Sequence, residues 1–182
     1  MKKLRKEEKQ KHIGLSVKAF ILLFLFAIIV LIIPSIIRFY TNTNILPGDE
    51  SYLNLRLAEN ILSKKSISND DLSYSGRNAF YPIGWPAFLA IFSFIFKIPV
   101  ITSSKILPFL LTLISFILFY FILNKLNLPN NIKIISSILL IISPGFLYLS
   151  FISTRFSAVI FLSLLSFFLL LQENKIYLFL AT

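Results

Sequence analysis

Of the 182 residues, 57% are hydrophobic and phenylalanine alone numbers 20, against roughly 45–50% apolar residues in soluble domains; the composition is that of a polytopic membrane protein. The chain has no cysteine, which excludes disulfides, thiolate nucleophiles and thiolate metal sites, and its single histidine, His12, lies in a basic tail, which removes His-based metal clusters and Ser-His dyads. The net charge of +10 does not mark a nucleic-acid binder: seven Lys and Arg against two Glu sit in residues 1–18, directly before an apolar run, the positive-inside signature of a cytoplasmic tail.

Residues 19–38 follow as a first transmembrane helix, uncharged until Arg38. The run is longer than a signal-peptide core and lacks a small-residue cleavage site, so it reads as an uncleaved signal anchor with the tail inside. That places residues 39–104 in an extracytoplasmic loop. Within it, residues 48–86 form a long polar island holding five of the eight acidic residues. Leu53, Leu57 and Ile61 recur at four-residue spacing, with Ala58 and Leu62 beside them, which predicts an interfacial helix over 49–62 lying flat on the membrane. Residues 64–78 are a polar connector.

Residues 82–98 are apolar but short, and Pro82, Pro86 and Lys97 interrupt them; Pro99 follows. A re-entrant helix fits such a run better than a full crossing. A competing layout makes it a short span and inverts every later segment. In the first layout residues 105–124 form transmembrane helix 2, with Pro108 tolerated in its first turn. A polar turn with Lys125 and Lys133 returns in the cytoplasm. Residues 133–152 form helix 3 with a kink at Ser143-Pro144-Gly145, residues 156–171 form helix 4, and residues 176–182 begin a fifth. The expected fold class is therefore all-α and polytopic, with about four full spans plus the start of a fifth. Because seven residues cannot span a bilayer, an amino-terminal fragment of a larger protein is expected.

Asp49 and Glu50 are the first chemical candidates. One acid in a helix's first turn is explained by the macrodipole and the exposed N–H groups. A second, adjacent acid leaves one carboxylate for general-base work on a hydroxyl, or for orienting a sugar or a metal ion. Tyr81-Pro82-Ile83-Gly84-Trp85-Pro86 is the next: its aromatics serve as interfacial anchors, or its two prolines make a rigid platform under a substrate. Lys105 and Arg155 either snorkel to headgroups or, in the first layout, sit at the outer mouth of the bundle. There Arg155 would grip a lipid phosphate as a bidentate fork and Lys105 as a point charge.

These residues carry a resemblance. A tail-in anchor helix, then Gly48-Asp49-Glu50-Ser51-Tyr52-Leu53-Asn54-Leu55-Arg56-Leu57-Ala58-Glu59-Asn60, then the run from Tyr81 to Pro86, resembles the start of a GT-C-fold membrane glycosyltransferase. It is most similar to the protein-mannosyltransferase and aminoarabinose-transferase-like group, with an oligosaccharyltransferase-like first loop. The resemblance implies a GT-C-like bundle and inverting transfer of a sugar from a polyprenyl-phosphate carrier to an acceptor hydroxyl on the outer face. It implies that Asp49, with Glu50, is catalytic, and that Arg56, Tyr81, Pro82, Trp85, Lys105 and Arg155 contact substrate or carrier. The implied location is the cell membrane, multi-pass with a cytoplasmic amino terminus. The implied partners are the polyprenyl-phosphate-linked sugar and membrane lipid. No cofactor is assigned, a divalent metal stays open, and nucleic acid is not a partner. Two other classes compete: a non-catalytic membrane subunit or lipid-carrier-binding protein on the same scaffold, and a transporter, which would want charges buried in mid-span.

Overall fold

The computed structural model describes residues 2–41, 46–65, 69–70, 77–78 and 81–172. Seven helices make up almost all of it: α1 (Lys2–Tyr40), α2 (Asp49–Leu62), α3 (Gly84–Phe96), α4 (Val100–Lys125), α5 (Asn130–Ile142), α6 (Pro144–Phe151) and α7 (Arg155–Leu170). Two-residue strands β1 (Asn69–Asp70) and β2 (Arg77–Asn78) pair antiparallel in the loop between α2 and α3. The protein is an all-α membrane protein.

Among the described residues, two helices are long and apolar enough to cross a bilayer: Val17–Tyr40 within α1, and α4. A third crossing is reached if α5 and α6 count as one span, bent by 57° at the break between them. This corrects the expectation of four full spans. At 1.5 Å per residue, the 16 residues of α7 reach about 24 Å, short of the ~30 Å hydrocarbon core. The expected third span, over 133–152, is broken because Ser143 takes an extended conformation ahead of Pro144, as residues before proline do. Its hydroxyl then accepts the Phe146 N–H at 3.3 Å and starts α6 afresh. Residues 176–182, expected to begin a fifth helix, lie outside the described residues.

α4 is the hub, packing against every other described helix. The apolar window of α4 is 56% buried and that of α1 only 17%, so α1 offers most of its circumference to lipid. The carboxy-terminal half of α4 gives Phe116 and Tyr120 to a core with Leu23, Ala27 and Leu31 of α1, Ile141 of α5, and Phe146 and Leu149 of α6. Its amino-terminal half gives Val100, Leu107 and Leu111 to a second core with Ala58 of α2 and Trp85, Leu89 and Ala90 of α3. Inside the bundle Thr112 and Ser115 donate to the carbonyls of Pro108 and Leu111 at 2.8 and 2.7 Å, while the buried Ser104 and Ser137 hydroxyls have no hydrogen-bond partner among the described residues.

Two sets of contacts orient the bundle. Phe20 of α1 stacks 4.7 Å from Tyr120 near the end of α4, and Phe121 meets Phe168 near the end of α7. At the other end, the Ser150 hydroxyl of α6 donates chiefly to the Leu147 carbonyl at 2.7 Å, with the Leu31 carbonyl of α1 at 3.3 Å as the longer arm. The start of α4, the end of α6, the start of α7 and the loop helices α2 and α3 therefore share one end of the bundle. The α4–α5 turn closes the opposite end, tied by Lys133 Nζ donating to Asn124 Oδ1 at 2.8 Å.

Candidate functional site

The site forms at the loop end of the bundle. Gly48 enters α2 with φ 75 and ψ 146, a left-handed backbone region open to glycine and strained for other residues. The turn leaves Asp49 and Glu50 in the first helical turn, where their charge matches the macrodipole. Asp49 is exposed and Glu50 half-buried, so the adjacent acids have different surroundings. The Tyr81 hydroxyl donates to Glu50 Oε1 at 3.0 Å.

The face that α2 buries keeps part of the expected apolar stripe and adds polar residues to it. Ser51, Asn54, Leu57 and Ala58 turn inward, whereas Leu53 is exposed. The cause is residues 152–154, the non-helical junction between α6 and α7. Ser153 donates its backbone N–H to Ser51 Oγ at 3.1 Å, and its carbonyl accepts from Asn54 Nδ2 at 3.0 Å. Its hydroxyl accepts from Trp85 Nε1 at 3.4 Å. Buried backbone groups outside a helix need such partners, and for Ser153 polar side chains on α2 supply them. Asn54 Oδ1 and Thr154 Oγ1 are buried beside this contact with no hydrogen-bond partner among the described residues.

Arg155 starts α7 two residues beyond Ser153, exposed, with its guanidinium 5.7 Å over the Phe156 ring. It lies within electrostatic reach of Tyr81. Burial chiefly, then the hydrogen bond and charge of Glu50, push the Tyr81 hydroxyl above its ordinary value, while Arg155 and Asn54 pull it back. Glu50, Tyr81 and Arg155 thus form one electrostatic unit drawn from α2, the approach to α3, and α7.

The other sequence candidates fall around it. Pro82 is exposed next to Tyr81. Trp85 is buried at 5%, so its ring belongs to the second core and its N–H to Ser153. Lys105 is exposed near the start of α4, at the same end, and Arg56 is half-buried on α2. Among the described residues no three of His, Cys, Asp and Glu gather as a metal-holding group. Ser51, Asn54 and Ser153 escaped sequence reasoning. The available signal was the stripe Ser51, Asn54, Ala58, small or polar at three- and four-residue steps.

A groove of about 660 Å³ runs from this end between α4, the α5–α6 elbow and α7. Phe156, the ring under Arg155, forms part of its wall with Phe119, Tyr148, Leu149 and Ile160. Compared with known proteins, the chain matches no family model, no curated protein and no solved structure.

Proposed function

We propose that this chain serves a membrane glycosyltransferase of GT-C type, moving a sugar from a polyprenyl-phosphate carrier to an acceptor hydroxyl at the outer membrane face. In this reading Asp49 takes the acceptor proton, the acceptor oxygen attacks the anomeric carbon, and the carbon–oxygen bond to phosphate breaks. The leaving carrier phosphate gains negative charge, which Arg155, with Lys105, stabilises. Glu50 holds Tyr81 as the orienting partner. The cytoplasmic amino terminus and the cell-membrane location belong to the same proposal.

The observation that supports this most is that Tyr81 bonds Glu50, the neighbour of Asp49, within electrostatic reach of Arg155 at one end of the bundle. A base and a phosphate-binding cation have to share a membrane face for such a transfer. The apolar groove beginning at Phe156 adds room for hydrocarbon next to the cation. Asp49→Asn in the native protein carrying this sequence is expected to lower transfer from a polyprenyl-phosphate sugar by about 10²–10⁴-fold. Near-normal turnover overturns the role of Asp49.

The groove and Arg155 also suit a non-catalytic lipid-carrier-binding protein, in which Asp49 only caps α2. That reading expects carrier binding to survive Asp49→Ala and sugar transfer to be absent from the parent.

A further inference from the structure

We propose that Ser51 and Asn54 are positioning residues that hold Arg155 opposite Glu50 by gripping Ser153. The inference rests on the glycosyltransferase reading for its chemistry and on the hydrogen bonds for its geometry. α6 ends at Phe151 and α7 begins at Arg155. Between them the N–H and carbonyl of Ser153 both go to side chains of α2, and its hydroxyl takes the indole N–H from α3. One residue is therefore held on three sides, by groups that are nearly fully buried: Ser51 at 0%, Asn54 at 1% and Trp85 at 5%.

The sequence spacing makes this grip matter. Ser51 directly follows Glu50, and Arg155 follows Ser153 by two residues. The shortest structural path between the acid and the cation thus runs through these hydrogen bonds and not through the body of α4. The Ile152 N–H still bonds the Tyr148 carbonyl of α6, but Ser153 has no helical partner and would otherwise leave the first residue of α7 loosely set. Buried, directional bonds to both backbone groups fix its position along and across α2. A bidentate guanidinium grip on a phosphate tolerates little displacement, so carrier affinity is the quantity most exposed to loosening.

The chain contains no cysteine, so spin labels can be placed at Leu53→Cys and Val159→Cys, both exposed positions on α2 and α7. In nanodiscs the parent and Ser51→Thr, which keeps the hydroxyl, are expected to give one narrow distance distribution. Ser51→Ala and Asn54→Ala are expected to broaden or shift it; unchanged distributions in both overturn the proposal. In the transfer assay Ser51→Ala is expected to raise KM for the polyprenyl-phosphate sugar about tenfold, with kcat within about twofold of the parent. In an Arg155→Gln background the same change is expected to add almost nothing, because the clamp acts through that cation. Independent, additive losses overturn it, as does a Ser51→Thr variant as impaired as Ser51→Ala. If the parent transfers no sugar, the glycosyltransferase reading fails, and the distance measurement decides the clamp by itself.

Discussion

Tyr81 connects the charged groups of the candidate site. Its hydroxyl donates to Glu50 at 3.0 Å, and a net loss of about 1 kcal/mol is expected for Tyr81→Phe. The pH dependence has a definite sign. The folded protein holds the phenol proton more tightly than the ordinary value of 10.0 implies, first through burial and then through Glu50. The associated stabilisation is complete below pH 10 and disappears as pH climbs through the elevated value. Thermal unfolding in detergent should show a parent-minus-Tyr81→Phe difference that is constant from about pH 7 to 9 and shrinks above about pH 10. A difference that grows with alkalinity would contradict the placement of Glu50 beside the hydroxyl. Glu50→Gln, which removes the charge, should lessen the alkaline loss.

At the scale of the element, α2 depends on how the chain enters it. A methyl group at Gly48 would meet only Ile152 Cδ1, at the ordinary contact distance of 3.5 Å, so space is not the constraint. The backbone is, at φ 75 and ψ 146. Gly48→Ala is expected to cost about 1–3 kcal/mol through strain, read as a lowered unfolding midpoint. A neutral result would mean that α2 can start another way. The buried face of α2 carries a second lesson. Leu53, Leu57 and Ile61 predict a helix with leucines down in the headgroups, yet Ser51 and Asn54 are the more deeply buried residues. Hydrophobic spacing finds the helix; the need to satisfy the Ser153 backbone turns it. The elbow between α5 and α6 was readable from Ser143-Pro144-Gly145, since a pre-proline residue disfavours the helical region, and the 57° bend falls there.

Across the whole molecule, the testable quantity is which groups share an end. α2 and the start of α4 lie together, and the α4–α5 turn lies opposite. Single cysteines at Glu59, Thr102 and Asn131 in the cysteine-free chain should therefore label asymmetrically in sealed vesicles. The first two are expected to react from one side of the membrane and the third from the other. Labelling of Thr102 and Asn131 from the same side would break the bundle as described and separate Lys105 from the acid helix. The count of crossings also belongs to this scale. Four apolar stretches resemble four spans by composition, but α7 has 16 helical residues and α5–α6 is bent, leaving among the described residues two helices long and apolar enough to cross and a third only if the bent pair counts as one.

The amino-acid sequence alone settles that this is a helical membrane protein. Uncharged apolar runs such as residues 19–37 are long enough to enter hydrocarbon, which demands that backbone groups bond within each segment. Composition and spacing report on single stretches, and they do so well for α1 and α4. Only the tertiary arrangement decides that Trp85 is core, that Ser51 and Asn54 face inward, and that Glu50 and Arg155 meet around Tyr81. Those outcomes turn on the backbone N–H and carbonyl of Ser153, groups that every residue but proline carries alike. No side-chain pattern announces which of them will be left without a helical partner until the helices have packed.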